Sequence, residues 1–174
     1  MRYIAFLRAI NVGGHLVKMD QLRKLFEGLK FTNVETFIAS GNVIFDSPSK
    51  DSVALEVRIE RHLKKALGYD VETFLRTCEE VVAAAKRAPF TVRDDCAEYV
   101  VFMRAAPDKA TRTKIMSLCS DADAFHTHQR EWYWQSRGRI TESPAAVPFS
   151  KAFGNQGTMR NVTTVRKLAA KYGG

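Results

Sequence analysis

The sequence of 174 residues contains no apolar run that approaches the ~18 residues of a membrane-spanning helix. Its opening segment, MRYIAFLRAI, lacks the small-residue cleavage site of a secretion signal and is predicted to form a strand. Only three cysteines are present, at positions 78, 96 and 119, and their odd number and wide spacing argue against a disulfide framework. These absences predict a cytoplasmic protein with no membrane association.

Several well-known site motifs are also absent. There is neither a G-x-x-x-x-G-K-[ST] phosphate loop nor a G-x-S-x-G nucleophile, and no cysteine has an evident histidine partner in the sequence. His126 and His128 share one face of a predicted strand, as metal ligands can, but no cluster of Cys or carboxylates stands at ligand spacing. No metal site is therefore predicted, and both the reaction, if there is one, and any cofactor stay open.

What the sequence does have is an ordinary hydrophobic content and an excess of positive charge. Hydrophobic residues at 45% and charged residues at 26% exclude general disorder, and the length allows one domain or two small ones. With 27 Lys and Arg against 19 Asp and Glu, the net charge is +8 and the isoelectric point is about 9.6. This balance permits partners of negative charge, either anionic small molecules or nucleic acids.

The first half of the chain, residues 1–77, is predicted to have the element order β-α-β-β-α-β. Residues 2–9 are apolar on both faces, a pattern typical of an interior strand covered on both sides. Apolar residues at spacings of three and four predict a helix from Met19 and a second one over 51–67, ended by Gly68. Further strands are predicted over 34–39, 43–46 and 71–76. This order is that of the ferredoxin-like split βαβ plait.

The second half, residues 78–174, is predicted to have the order α-β-α-β-β-α. Thr77 and Glu80 have capping-box spacing ahead of an alanine-rich helix that Pro89 ends. Another helix opens at Pro107, and the last one lies near 161–172. The predicted strands cover residues 97–104, 123–129 and 131–136.

One stretch of the second half, residues 137–157, contains prolines and glycines without a sustained period, and it is predicted to be mostly irregular. A second plait is thus expected to be incomplete or rearranged, because its last strand is missing or displaced. No flexible linker marks the boundary. The predicted fold class is therefore α+β, with two tightly packed ferredoxin-like α-β plaits.

A candidate ligand site follows from this topology. In such a plait the carboxyl end of the first strand lies beside the hairpin that joins strands two and three, and the first helix begins at the same edge. Free N–H groups and the positive end of a helix dipole favour anions there, and cationic and amide side chains suit phosphate. The alternative is turn chemistry, in which glycines supply positive φ and Asn side chains bind the backbone. The residues predicted to converge are Arg8, Asn11, Gly13, Gly14, Lys18, Ser40, Gly41 and Asn42.

A second candidate is the segment GNQGTMRNVTTV, residues 154–165, where Thr158 leads towards the final helix and Lys151 lies just upstream. A cation at a helix amino terminus opposes the helix dipole unless an anion binds there, so Arg160 is predicted to contact a ligand. Asn161 has an alternative role as the N-cap of that helix. If the two candidates form one site, they face each other across a polar cleft between the halves.

Two segments of the chain resemble a known family. They are LRAINVGG with VKMDQLRKLFEGLKFTNVETFIASGNVIF, within residues 7–45, and GTMRNVTTVRKL, residues 157–168. Both are similar to a bacterial family called domain of unknown function 1697, which implies two α-β plaits and leaves the activity open. This chain has Ala9 where glycine is typical of the family. The resemblance implies that the motif positions are Arg8, Asn11, Gly13, Gly14, Lys18, Met19, Ser40, Gly41, Asn42, Thr158, Arg160, Asn161 and Thr164.

Three classes of function remain open at this point. The leading interpretation is a protein that binds a phosphorylated small molecule or nucleotide at the polar cleft, with or without acting on it as an enzyme. The second is a nucleic-acid-binding module, which the charge permits although the strands lack the aromatic-rich signature of RNA-binding plaits. The third is a non-catalytic scaffold or oligomerisation protein. The oligomeric state is not predicted.

Overall fold

The computed structural model describes residues 1–11, 13–38 and 41–174. Within them the chain is an α+β protein with two four-stranded antiparallel sheets and six α-helices. It divides into two compact units, Met1–Val81 with Tyr172–Gly174, and Val82–Lys171. None of the helices in the described ranges is both long and apolar enough to cross a membrane.

The first unit contains one sheet and two helices packed on it. The strands are β1 (Arg2–Leu7), β2 (Thr32–Thr36), β3 (Asn42–Asp46) and β4 (Thr73–Thr77), and the helices are α1 (Met19–Glu27) and α2 (Ser52–Leu67). The sheet order is β2-β3-β1-β4, with every neighbouring pair antiparallel.

Strand β1 lies in the interior of this sheet, as the two-sided apolar pattern predicted. On one face its Tyr3, Ala5 and Leu7 belong to a core that includes apolar side chains of α1 and α2. On the other face Ile4 and Phe6 are also fully buried. Because both faces are covered, the strand reads as a continuous apolar run and not as an alternating one.

The helix boundaries follow local chemistry that the sequence displays. The Asp51 carboxylate accepts the Ala54 N–H at 2.9 Å as the N-cap of α2, and Gly68 ends the helix with φ of 84°. The helix α3 (Cys78–Lys86) begins with a reciprocal capping box. There the Thr77 N–H donates to Glu80 Oε2 at 2.8 Å, and the Glu80 N–H donates to Thr77 Oγ1 at 3.2 Å.

Carboxylates line the outer side of β4, which is an edge strand of its sheet. The Thr73 N–H donates to Glu60 Oε1 at 2.9 Å, and the Leu75 N–H donates to Glu56 Oε1 at 2.8 Å. Together with the Thr77 contact described above, three successive outward N–H groups thus have carboxylate acceptors. An edge strand with its donors occupied in this way is a poor template for pairing with another chain.

The second unit contains the other sheet. Its strands are β5 (Cys96–Met103), β6 (Asp123–His128), β7 (Glu131–Arg137) and β8 (Gly157–Asn161), in the order β6-β7-β5-β8. Its helices are the C-terminal part of α3, α4 (Lys109–Met116), α5 (Ala146–Phe153) and most of α6 (Val162–Tyr172).

The second sheet is complete, so the prediction of an incomplete or rearranged half was wrong on this point. Strand β8 pairs antiparallel with β5, from Gly157 opposite Met103 to Asn161 opposite Tyr99. Its five residues, GTMRN, have no alternating apolar pattern. The segment forms a strand because its backbone pairs with β5. Gly157 fits the close approach to β5, since a Cβ there would lie 2.9 Å from Val101 Cγ1.

The prediction that residues 137–157 are mostly irregular was also wrong, because α5 occupies eight of them and a short 3₁₀ helix covers Ile140–Glu142. Pro148 is the third residue of α5. The N–H groups of a first helical turn have no partner within the helix, so a proline is tolerated there. The proline that indicates an irregular segment in the sequence therefore lies inside a helix.

Candidate anion-binding loops

The loop that follows β1 meets the β2–β3 turn, as the topology predicted. The Leu7 N–H donates to the carbonyl of Gly41 at 2.8 Å, and the Arg8 N–H donates to the carbonyl of Glu72 at 2.9 Å. The half-buried Arg8 thus stands at the carboxyl end of β1, between the β2–β3 turn and the start of β4. Ser40, the remaining predicted member of the turn, lies outside the described residues.

Gly41 and Asn42 hold this turn in place. Gly41 has φ of +75°, and a Cβ on it would lie 2.7 Å from Ile10 Cγ2, so both the conformation and the close contact require glycine. The fully buried Asn42 donates from Nδ2 to the carbonyl of Phe37 at 2.9 Å. Its amide therefore serves the turn, in agreement with the alternative of turn chemistry.

The rest of the loop is closed by side-chain contacts to its backbone. Asn11 Oδ1 accepts the Val17 N–H at 2.8 Å, and the Tyr69 hydroxyl donates to the carbonyl of Ile10 at 2.9 Å. The His15 ring stacks on the Tyr69 ring with centroids 4.0 Å apart, and burial raises the pKa of the Tyr69 phenol. These hydrogen bonds fix the backbone at the two ends of the loop, while the described residues between them are exposed.

The described residues in the middle of the loop, Gly13 to Leu16, are exposed, and so is Lys18 at its end. Gly13 and Gly14 have φ of +63° and +85°, with open space where a Cβ would be. The exposed Lys18 precedes α1 at the N-cap position, where its side chain makes no capping hydrogen bond. Arg8, Lys18 and the amino terminus of α1 therefore belong to one loop, next to two glycines whose backbone is accessible.

The second predicted group is divided among three elements. Lys151 is exposed in the last turn of α5, Thr158 and Arg160 lie on β8, and Thr164 is half-buried in α6. Asn161 Oδ1 accepts the Thr163 N–H at 2.8 Å, so this side chain caps α6 as the alternative interpretation held.

Arg160 is a buried strand residue and not an exposed cation at a helix amino terminus, which corrects the prediction. Its side chain donates from Nη1 to Thr158 Oγ1 at 2.9 Å and to the carbonyl of Met159 at 2.8 Å. Burial lowers the pKa of the guanidinium to about 10, so it stays protonated at neutral pH. Arg160 belongs to the strand because the chain pairs with β5 up to Asn161 before α6 begins.

A pocket of about 340 Å³ lies at the start of α6, and the sequence reasoning missed most of it. Asn161 and Thr163 line it together with Arg93, Cys96 and Arg166, and Arg166 Nη2 is 3.7 Å from a carboxylate oxygen of Glu98. These residues come from distant segments, so no local pattern could have grouped them. Burial and a hydrogen bond to Asp95 raise the pKa of the Cys96 thiol, which disfavours a role as a nucleophile.

The fold has a solved counterpart. The conserved bacterial protein SP0830 from Streptococcus pneumoniae is similar in structure, with a TM-score of 0.81 over 99% of this chain and 98% of the other. The two sequences are 22% identical, so this likeness concerns the fold. No curated protein matches the sequence.

The family is established by sequence. The family described as "Protein of unknown function (DUF1697)" matches residues 1–133, which is more than half of the chain. The chain therefore belongs to the DUF1697 family, and the resemblance drawn from its motifs is confirmed.

Proposed function

We propose that this protein binds a phosphorylated small molecule or nucleotide at the loop between β1 and α1. The observation that carries the proposal is that Arg8 and Lys18 belong to one loop, which has two exposed glycines and leads into the amino terminus of α1. We also infer that each sheet with its helices is a ferredoxin-like plait, which the orders β2-β3-β1-β4 and β6-β7-β5-β8 support.

The loop offers the donors that a phosphate group needs. The first helical hydrogen bond of α1 runs from the Leu22 N–H to the carbonyl of Lys18, so the N–H groups before Leu22 lie outside the helical ladder. Asp20 in the same turn has its carboxylate 3.7 Å from Arg23, which reduces its repulsion of an anion. Among the described residues the Lys18 ammonium makes neither a capping hydrogen bond nor an ion pair, so it remains available to an anion.

The chemistry of the loop favours binding and charge stabilisation. Arg8 and Lys18 can neutralise a phosphate or stabilise a leaving phosphoryl group. The loop also contains His15, whose ring is stacked on Tyr69. The function proposed for the loop is therefore binding, with no residue assigned as a general base. The prediction that the Lys151 and Arg160 group joins the same site stays a prediction.

A thermal-shift screen against nucleotides, sugar phosphates and inorganic polyanions tests the proposal. We expect a phosphate-bearing compound to raise Tm, with Arg8→Gln and Lys18→Gln each weakening its binding by about tenfold, the equivalent of one charged hydrogen bond. Lys50→Gln is the matched control, because it removes the same charge from an exposed position before α2. Equal losses in Lys18→Gln and Lys50→Gln would show only a diffuse attraction of anions.

A nucleic-acid-binding function is the second candidate, and the net charge of +8 favours it. Binding of an oligonucleotide by phosphate contacts falls steeply with salt, because counterions are released from the backbone. A gel-shift signal that is salt-sensitive, together with no response to small phosphates, would favour this candidate over the first.

A further inference from the structure

A pocket of about 420 Å³ in the second unit carries a cluster of basic side chains that the proposed function does not use. It is lined by Ala83, Arg87, Ala88, Pro89 and His126. The volume lies within the roughly 300–1,000 Å³ of small-molecule sites. Two of the five lining residues are alanines, whose small side chains leave space beside the Arg87 guanidinium and the His126 imidazole.

The end of α3 and the face of β6 build this pocket. The Arg87 N–H donates to the carbonyl of Ala83 at 3.2 Å, which extends the helical turn and directs both residues to one side. His126 stands opposite Tyr133 in the β6–β7 register, and the Tyr133 hydroxyl donates to the carbonyl of Ala84 at 3.5 Å. Tyr133 thus connects the end of α3 to the sheet that carries His126.

The charge around His126 is positive. Burial, the Arg87 guanidinium and His128 all lower the pKa of His126, in that order of importance. Glu131 lies opposite His128 on β7 and is buried. Within the described ranges no carboxylate forms an ion pair with Arg87, and no group of three or more His, Cys, Asp or Glu side chains could hold a metal ion. The pocket therefore suits an anion better than a cation.

We propose that Arg87 and His126 bind the phosphate group of a small phosphorylated molecule in this pocket. Arginine binds phosphate through two parallel N–H donors, and the imidazole N–H adds a third donor, which carries charge when the ring is protonated. All of its lining residues belong to the second unit, and none of them belongs to the loop of Arg8 and Lys18. Its success or failure is therefore independent of the proposed function.

Proton NMR of the histidine rings tests the site directly. The chain has four histidines, and His126→Gln identifies the resonance of that ring. A phosphate bound beside the imidazole stabilises its protonated form. The pKa of His126 is then expected to rise by about one in sodium phosphate compared with sodium chloride of equal ionic strength. Inorganic phosphate and glycerol phosphate are the probes.

Two variants that each remove one positive charge distinguish phosphate binding in the pocket from nonspecific attraction of anions to the protein. The apparent affinity for phosphate is read from the shift of the His126 resonance during a titration. Arg87→Gln is expected to lower this affinity about tenfold or more. Lys86→Gln removes the same charge from the adjacent exposed residue, which does not line the pocket, and should leave the affinity unchanged. Arg8→Gln should also leave it unchanged, whatever happens at the first loop.

Three outcomes would overturn the proposal. The first is a pKa of His126 that is the same in chloride and in phosphate. The second is an equal loss of affinity in Lys86→Gln and Arg87→Gln. The third is a response of His126 to a single-stranded oligonucleotide but to neither small phosphate, which would assign the pocket to nucleic acid.

Discussion

The edge strand β4 provides a quantitative test of the first unit, through the substitution Glu56→Ala. Glu56 is 2% exposed, and its carboxylate accepts the N–H of the fully buried Leu75 at 2.8 Å. Hydrogen bonds to charged groups contribute about 1.5–3 kcal/mol, and truncation also leaves a small cavity under α2. We expect Glu56→Ala to lower the free energy of unfolding by about 2–3 kcal/mol.

Two further variants on α2 isolate the cause of this loss. Glu56→Gln keeps an oxygen acceptor for Leu75, so its loss should be about 1 kcal/mol or less. Glu60→Ala removes the matching contact to Thr73 from a half-buried position, and a loss of about 1 kcal/mol is expected. The order of stabilities is therefore wild type, then the two milder variants, then Glu56→Ala.

The assay is urea unfolding followed by far-ultraviolet circular dichroism and by tryptophan fluorescence in parallel. Both tryptophans, Trp132 and Trp134, lie in the second unit, so the two signals report whether the units unfold together. If Glu56→Ala unfolds within about 0.5 kcal/mol of wild type, the carboxylate is not what satisfies the edge of β4, and the reasoning is refuted.

Three other predictions concern single residues. Arg160→Ala should lower stability by about 2–4 kcal/mol, because it removes two hydrogen bonds and leaves a cavity; urea unfolding measures this, with the exposed Arg166→Ala expected to change little. Ala9→Gly should raise stability by about 0.5–1 kcal/mol, since Ala9 has φ of 55° and glycine relieves that strain at some cost in chain entropy; an unchanged or lower Tm would contradict this. His126 has a pKa below its usual 6.5 in the folded chain, so the unfolded state binds its proton first and stability should fall as the pH drops below 6.5; His126→Gln should flatten this part of the pH profile.

Several elements of the fold were predictable because their signals are local. The two-sided apolar run of β1, the capping box of Thr77 and Glu80, and the αL glycine at Gly68 each express their structure within a few residues. The same holds for Asp108, whose carboxylate caps α4 by accepting the Thr111 N–H at 2.7 Å. Each of these signals depends on backbone geometry that neighbouring residues alone determine.

The burial of Glu56, by contrast, could not be predicted from the residues near it in the sequence. The alternation of Glu56 and Glu60 with basic residues on α2 indicates a solvated helix face, yet Glu56 is buried against β4. The acceptor role arises because β4 lies at a sheet edge, and no spacing along α2 records which strand will lie beside it. Burial of a charged residue is therefore a property of the assembled unit.

Some features of the candidate sites were likewise evident from the sequence, and others depended on the tertiary structure. The sequence by itself determined that Arg8 and Lys18 flank a glycine-containing loop, and that Asn161 is suited to cap a helix. Only the tertiary structure decided that Arg160 is a buried member of β8 and that Arg87 and His126 share a pocket. Caps and turns are decided by a few adjacent dihedral angles, whereas a short polar strand or a pocket exists only when distant segments supply its hydrogen-bond partners and its walls.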